Sequence, residues 1–216
     1  MEKTAKKRLF NSILRKGKGC VFTAVDFTVD FKRWEIDQSF IALEKEGFIK
    51  RLLPGVYYYP KYSKLLKKSI APDIQQVVKT LARKYEWKVF PEGNTALNYL
   101  GLSTQIPAKY IYISSGRSRK FKVGNIDLEF RHRVLTETMI SDEKTMLVVQ
   151  AIKSIGQIHA NKDFAKKLSK RFSFKEWVKI EKKSHKVTNW ILEVIKSKGV
   201  FKGWNENQKV RFIRRM

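Results

Sequence analysis

The stretch Val21 to Pro60, VFTAVDFTVDFKRWEIDQSFIALEKEGFIKRLLPGVYYYP, restricts this chain to a short list of folds. Thr23 stands where a side-chain oxygen can cap a brief helix, Ala24-Val25-Asp26-Phe27, and Asp30 stands where one can cap a longer helix from about Lys32 to Glu46. In the longer segment Ile36, Phe40 and Leu43 fall at i, i+4 and i+7 and form one apolar stripe. Lys32, Arg33, Asp37, Gln38, Ile41 and Glu44 lie off that stripe. Gly47 ends the helix, because glycine takes the left-handed conformation without strain. Phe48–Leu53 and Val56–Tyr59 are rich in β-branched and aromatic residues, and Pro54-Gly55 between them suits a type II turn. A short strand, two helices and a tight hairpin in this order make a winged helix-turn-helix.

That order carries a functional expectation. The second helix of such a motif enters the major groove by its N-terminal residues, where arginine and lysine pair with guanine and glutamine pairs with adenine. Lys32, Arg33 and Gln38, with Asp37 beside them, are therefore the expected base readers, and Lys50 and Arg51 of the wing are expected to hold the backbone. A helix and hairpin used only for packing or a protein contact is the alternative. Trp34 is expected to stack on the preceding helix, or else to lie against sugar and phosphate.

The formal net charge of +26 favours nucleic acid, an acidic protein or an anionic surface as partner, while a hydrophobic content of 43% is that of a globular chain. No apolar run approaches the roughly 20 residues that span a bilayer. The start, MEKTAKKRLFNSILRKGKG, is basic without a secretory apolar core, and reads as a helix with Leu9, Phe10, Ile13 and Leu14 facing inward. A cytoplasmic protein with no membrane partner is expected. The single cysteine, Cys20, leaves no intramolecular disulfide and no zinc set, and reads as a packing residue.

Beyond the wing, Pro60 to Pro72 is a basic connector with proline at each end, which places a domain boundary near residue 70. Asp73 can cap a helix over 74–85 with Ile74, Val77, Val78 and Leu81 on one face. A short helix over 94–100, a strand over 109–113 and two strands over 117–123 and 126–134 follow, the last two joined by Gly124-Asn125 as a type I′ hairpin. From residue 141 the chain reads as helices over 142–156, 162–171, 173–183 and 186–198, and Arg211-Phe212-Ile213-Arg214-Arg215 reads as a basic tail. The expected fold class is α+β: a winged helix-turn-helix domain over 1–70, then a mixed α/β domain over 71–216 with a helical C-terminal part.

An enzymatic alternative rests on Ser114-Ser115-Gly116 followed by Asp127-Leu128-Glu129. A small turn after a strand and two carboxylates on one strand face are the parts of a metal-dependent nucleotidyltransferase or nuclease. The turn, however, leads into Arg117-Ser118-Arg119-Lys120-Phe121-Lys122-Val123, not into a helix whose N-terminus could hold phosphate. Pairing of Asp127 and Glu129 with neighbouring basic side chains is the simpler expectation. His132, His159 and His185 share no ligand spacing, and no nucleophile set or phosphate loop stands out. A non-enzymatic protein without cofactor or metal is expected.

The segments 47–60 (GFIKRLLPGVYYYP), 96–107 (ALNYLGLSTQIP) and 112–116 (YISSG) together resemble the AbiEi-type antitoxins of bacterial type IV, or abortive infection, toxin–antitoxin systems, in particular relatives with an LGL-TQ-P segment in the second domain. The resemblance spans about residues 5 to 155. It implies an N-terminal winged helix that binds repeats in its own promoter and represses the operon. It also implies a C-terminal part that counteracts a separately encoded nucleotidyltransferase toxin, with no direct toxin contact assumed.

Overall fold

The computed structural model describes residues 2–65, 67–105, 107–133 and 142–197. The tail at 211–215 and the end of the strand expected to reach residue 134 lie outside them. The fold is α+β and divides into two compact units, residues 1–89 with 114–132 and residues 90–113 with 133–216.

The first unit opens with α1 (Glu2–Lys16), β1 (Val21–Phe22), a 3-10 turn (Ala24–Phe27), α2 (Arg33–Lys45), β2 (Lys50–Leu53) and β3 (Val56–Tyr58). The strands lie in the order β1-β3-β2, all antiparallel, with Val21 opposite Tyr58, Phe22 opposite Tyr57 and Leu53 opposite Val56. This is the winged helix-turn-helix. Its core is aromatic: Phe40 of α2 meets Phe22 at 5.5 Å, Phe27 at 5.9 Å and Tyr57 at 4.6 Å between ring centroids. Ile36, Leu43, Ile49, Leu9 and Ile13 complete it. Each such side chain contributes about 1.5–3 kcal/mol on leaving water.

Local signals act with small departures. Thr23 stands at the N-cap of the 3-10 turn without a side-chain capping bond of its own; the Asp26 carboxylate instead reaches back and accepts from the Thr23 amide at 2.8 Å. Lys32, not Asp30, is the residue before α2, because Glu35 reaches back to accept the Lys32 amide at 2.9 Å and so satisfies a donor the first turn leaves unpaired. Gly47 (φ 77°) closes α2 and Gly55 (φ 71°) the wing turn. Leu14, expected inside, is 42% exposed. Burial raises the pKa of the Cys20 thiol, as befits a packing residue.

The connector is an element in its own right. Lys61–Ser63 (β4) and Lys68–Ile70 (β5) form an antiparallel hairpin, and α3 (Ile74–Tyr85) follows, its first turn capped by Asp73. Helix α3 is tied back to the winged helix: Thr80 Oγ1 donates to the Val21 carbonyl at 3.2 Å, Arg83 pairs with Asp26 at 3.2 Å, and Lys84 Nζ donates to the Pro54 carbonyl at 2.6 Å. The boundary expected at residue 70 therefore falls inside the first unit.

Chain order then gives β6 (Val89–Pro91), α4 (Asn94–Tyr99) and β7 (Lys109–Ser114), followed by β8 (Arg119–Val123) and β9 (Ile126–His132). The β8–β9 hairpin belongs to the first unit and pairs Lys120 with Glu129 and Lys122 with Asp127 across its ladder. Only Gly124 takes positive φ at its turn (59°), the pattern of a type II′ rather than the expected type I′ turn. Tyr85 stacks on Trp87 at 4.7 Å, and the Arg119 guanidinium lies over both rings at 4.9 and 5.9 Å. Trp87 also fills the space at Gly116, where an added Cβ would come within 2.0 Å of the indole.

In the second unit the Ile111 amide donates to Thr95 Oγ1 at 2.9 Å and the Ile111 carbonyl accepts from Glu92, so β7 is registered against the start of α4. Ala96, Leu97 and Leu100 enter a core with α5 (Glu143–Ile155), α6 (Lys162–Ser169), α7 (Phe174–Lys183) and α8 (Asn189–Lys196). Asp142 caps α5 by accepting from the Thr145 amide (3.1 Å) and hydroxyl (2.8 Å), and Lys183 reaches it from α7 at 2.8 Å. Burial alone would raise the Asp142 pKa. The hydrogen bonds from Lys183 and Thr145 outweigh it and hold the carboxyl below the usual carboxylate range.

A depressed folded-state pKa means that this contribution is complete above the unfolded value of about 3.9 and is lost as pH falls from there through the folded value. Asp142→Ala should cost about 1–3 kcal/mol in urea unfolding at neutral pH and flatten the acid limb of the stability curve, whereas Asp142→Asn, which keeps the capping oxygen, should cost less.

Candidate nucleic-acid interface

Helix α2 turns Ile36, Ser39, Phe40 and Leu43 into the core, and this fixes what its other faces present. Lys32, Arg33 and Gln38 are exposed at and near its start. Trp34 is 60% exposed and Ile41 59%, with Gln38 between them, and Val29 before the helix is 96% exposed. Trp34 therefore does not stack on the preceding helix: the 3-10 turn has only four residues and its aromatic side chain, Phe27, is buried against Phe22 and Phe40. The outer face offers an amide flanked by apolar side chains, a chemistry that matches the adenine edge and the thymine methyl group in the major groove.

Arg33 is not a free cation. Its Nε donates to Asp37 Oδ2 at 2.8 Å, one helical turn along, with both side chains largely exposed. An exposed i,i+4 pair is worth only a few tenths of a kcal/mol, so a phosphate or a guanine edge can compete for the guanidinium. Asp37 thus holds Arg33 against the helix and places a negative charge on the same face.

The two wing cations separate, because side chains alternate along a strand. Arg51 lies opposite Tyr57, whose ring packs on Phe40, and its charge acts on the Tyr57 hydroxyl together with those of Glu44, Asp37 and Arg33. Burial, the largest influence, raises the Tyr57 pKa, so the group is a neutral donor at physiological pH. Lys50 lies opposite Tyr58 and donates to Ser69 Oγ at 3.2 Å, in the following hairpin. The six expected residues therefore form one group of Lys32, Arg33, Asp37, Gln38 and Arg51 around α2, and Lys50 apart from it. Tyr57 was missed from sequence because a tyrosine in an aromatic strand carries no signal of what its hydroxyl faces.

The tip of the wing is occupied. Its turn is uncharged, the Pro54 carbonyl accepts Lys84 Nζ, and a Cβ at Gly55 would lie 2.9 Å from that nitrogen.

The residues of the enzymatic alternative stand at Gly116 and on β9. Glu129 is bound by Arg131 Nε at 2.8 Å, and Asp127 lies across the ladder from Lys122. Gly116 is covered by Trp87, and the chain after it enters β8, with His132 Nδ1 3.0 Å from the Gly116 carbonyl. Among the described residues no three of His, Cys, Asp and Glu converge as a metal site, and no helix is long and apolar enough to cross a membrane.

A family model matches residues 8–179, from the first turns of α1 into α7. The chain belongs to DUF6088, a family of unknown function. The winged helix and the β8–β9 hairpin both lie within the part that matches DUF6088. No curated protein matches the chain. Among solved structures it is similar to the crystal structure of RV2827C protein from Mycobacterium tuberculosis, at 13% identity over 98% of this chain and 81% of that one, with a TM-score of 0.45.

Asp37→Ala should release Arg33 and remove a negative charge from the outer face of α2. Affinity for any duplex is expected to rise several-fold, with a log K against log salt slope steeper by about 0.9, measured by fluorescence anisotropy.

Proposed function

We propose that this chain is a double-stranded DNA-binding protein that represses its own promoter in the cytoplasm, as the antitoxin of a type IV toxin–antitoxin operon. The observation that carries the DNA reading is the outer surface of α2, where Lys32, Arg33 and Gln38 stand exposed on a helix whose opposite face is locked into the core of a winged helix. The formal net charge of +26 supports it, since cationic side chains that displace counterions supply most of the affinity for a duplex. In this reading Gln38 and Arg33 select bases, Lys32 and Arg51 hold phosphates beside them, and Asp37 restrains Arg33 until a base edge or phosphate competes.

The antitoxin reading rests on the resemblance of the segments 47–60, 96–107 and 112–116 to AbiEi-type antitoxins. Its functional counterpart is a nucleotidyltransferase toxin, opposed without direct contact being assumed, and the chain itself acts without catalysis, cofactor or metal. The neighbouring gene and co-expression test this half: a nucleotidyltransferase reading frame should lie beside this one and the chain should restore growth to cells producing its product, and absence of the frame or failure to restore growth removes the antitoxin assignment.

The DNA half is tested on the promoter. Arg33→Ala with Gln38→Ala should reduce the ratio of promoter to unrelated-duplex affinity by about tenfold or more, each good base contact being worth about 1–3 kcal/mol of discrimination. Arg51→Ala should weaken both duplexes alike and leave that ratio unchanged. An unaltered ratio in the double variant would take the base-reading role away from α2.

A further inference from the structure

We propose that the β4–β5 hairpin is a second wing, which grips the phosphates of the same duplex in place of the pinned tip of the first; the proposal rests on the duplex-binding reading above. From Gly47 to Pro72 the chain contains no Asp or Glu, and Lys50, Arg51, Lys61, Lys64, Lys67 and Lys68 stand in that interval. In other parts of this unit carboxylates do answer some cations, as in Lys6–Glu46, Arg33–Asp37 and Arg83–Asp26. Lys61, Lys64, Lys67 and Lys68 are all exposed, and none pairs with a carboxylate among the described residues.

The hairpin is also built to hold its charges in place. Tyr58, a buried residue of β3, donates its hydroxyl to the Ile70 carbonyl at 2.8 Å and accepts the Lys61 amide at 3.3 Å, so both ends of the hairpin are fastened to the central strand of the winged-helix sheet. Lys50 is fastened to Ser69 from the other strand of the wing. The register sets Lys61 opposite Ile70 and Ser63 opposite Lys68, which puts Lys61 and Lys68 on one face, while Lys64 and Lys67 lie in the turn. Lysines on a solvated strand also discourage edge-to-edge pairing. That role needs neither an interval free of acids nor charges continued through the turn. The first wing has the opposite character: its tip, Leu52 to Val56, is uncharged and bound by Lys84. Duplex phosphates are the occupant that a fastened, uniformly cationic hairpin fits, with lysine acting as a point charge on each.

The test is anisotropy on a promoter duplex and an unrelated duplex across a salt series, comparing the wild type with Lys64→Gln/Lys67→Asn/Lys68→Gln. Asparagine is chosen at position 67 because Lys67 has φ 48°, which asparagine tolerates. The expected result is loss of affinity by about tenfold or more on both duplexes alike, an unchanged promoter preference, and a log–log salt slope shallower by about 2.7, at about 0.9 for each phosphate that is no longer neutralised. Arginine at positions 64 and 68 should restore binding. If the triple variant melts below the wild type, Lys64→Gln alone, in the turn and outside the ladder, should still lower the slope by about 0.9. Wild-type affinity and slope in a folded variant would overturn the second wing while leaving duplex binding intact. A wild-type protein that binds neither duplex would overturn the duplex-binding reading itself, and the second wing with it.

Discussion

The first unit depends on the insertion of Phe40 among Phe22, Phe27 and Tyr57. One side chain of α2 touches a ring from β1, one from the 3-10 turn and one from β3, so the helix, the turn before it and the wing are fixed by the same contact. Tilted and edge-on ring pairs have narrower geometry than aliphatic packing, and each adds about 0.5–1.5 kcal/mol beyond the area buried. The rotation of α2 about its axis follows from this. With Phe40 inward, Ile36 and Leu43 are carried inward too, and Gln38, Ile41 and the Arg33–Asp37 pair are left on the outer face.

Most of this could be read from the chain because periodicity is a direct trace of burial. The stripe Ile36, Phe40, Leu43 in α2 and the stripe Ile74, Val77, Val78, Leu81 in α3 are buried as their spacing requires. What escaped was set by partners distant in sequence. Pro60 and Pro72 do interrupt helix formation, yet the segment between them is a hairpin whose turn contains a lysine at φ 48°, with no glycine or asparagine to announce it. The boundary near residue 70 looked natural for the same reason. The bonds from Thr80, Arg83 and Lys84 across to Val21, Asp26 and Pro54 tie α3 into the first unit, and no local pattern encodes them.

Of the expected site, exposure was legible in the sequence and grouping was not. Exposure of Lys32, Arg33, Gln38, Lys50 and Arg51 followed from their places off the apolar stripe and on a hairpin. Their grouping did not. Strand alternation sends Arg51 toward the charges around Tyr57 and Lys50 toward Ser69. Asp37, one turn from Arg33, changes an apparent reading cation into half of an exposed pair. Sequence shows which residues are charged; whether a charge is available depends on the neighbour four residues away or across the ladder.

In the second unit, the segment most recognisable in the sequence serves the architecture. The segment that carries the resemblance to antitoxins, Ala96 to Pro107, is structural where it is described: Ala96, Leu97 and Leu100 are buried, Asn98 Nδ2 donates to the Gln105 carbonyl at 3.1 Å, and Arg171 donates to the Gly101 carbonyl at 2.7 Å. Gly101 holds φ 61°, with the Arg171 guanidinium 3.4 Å from where a Cβ would stand, so both backbone and neighbour favour glycine there. Residues of this kind are kept by any chain that retains the fold, whatever it does. A resemblance concentrated in them argues for shared architecture. The side chains that the core of this unit does not need are of another kind, and they include the exposed lysines Lys162, Lys166, Lys167, Lys175 and Lys182 of α6 and α7.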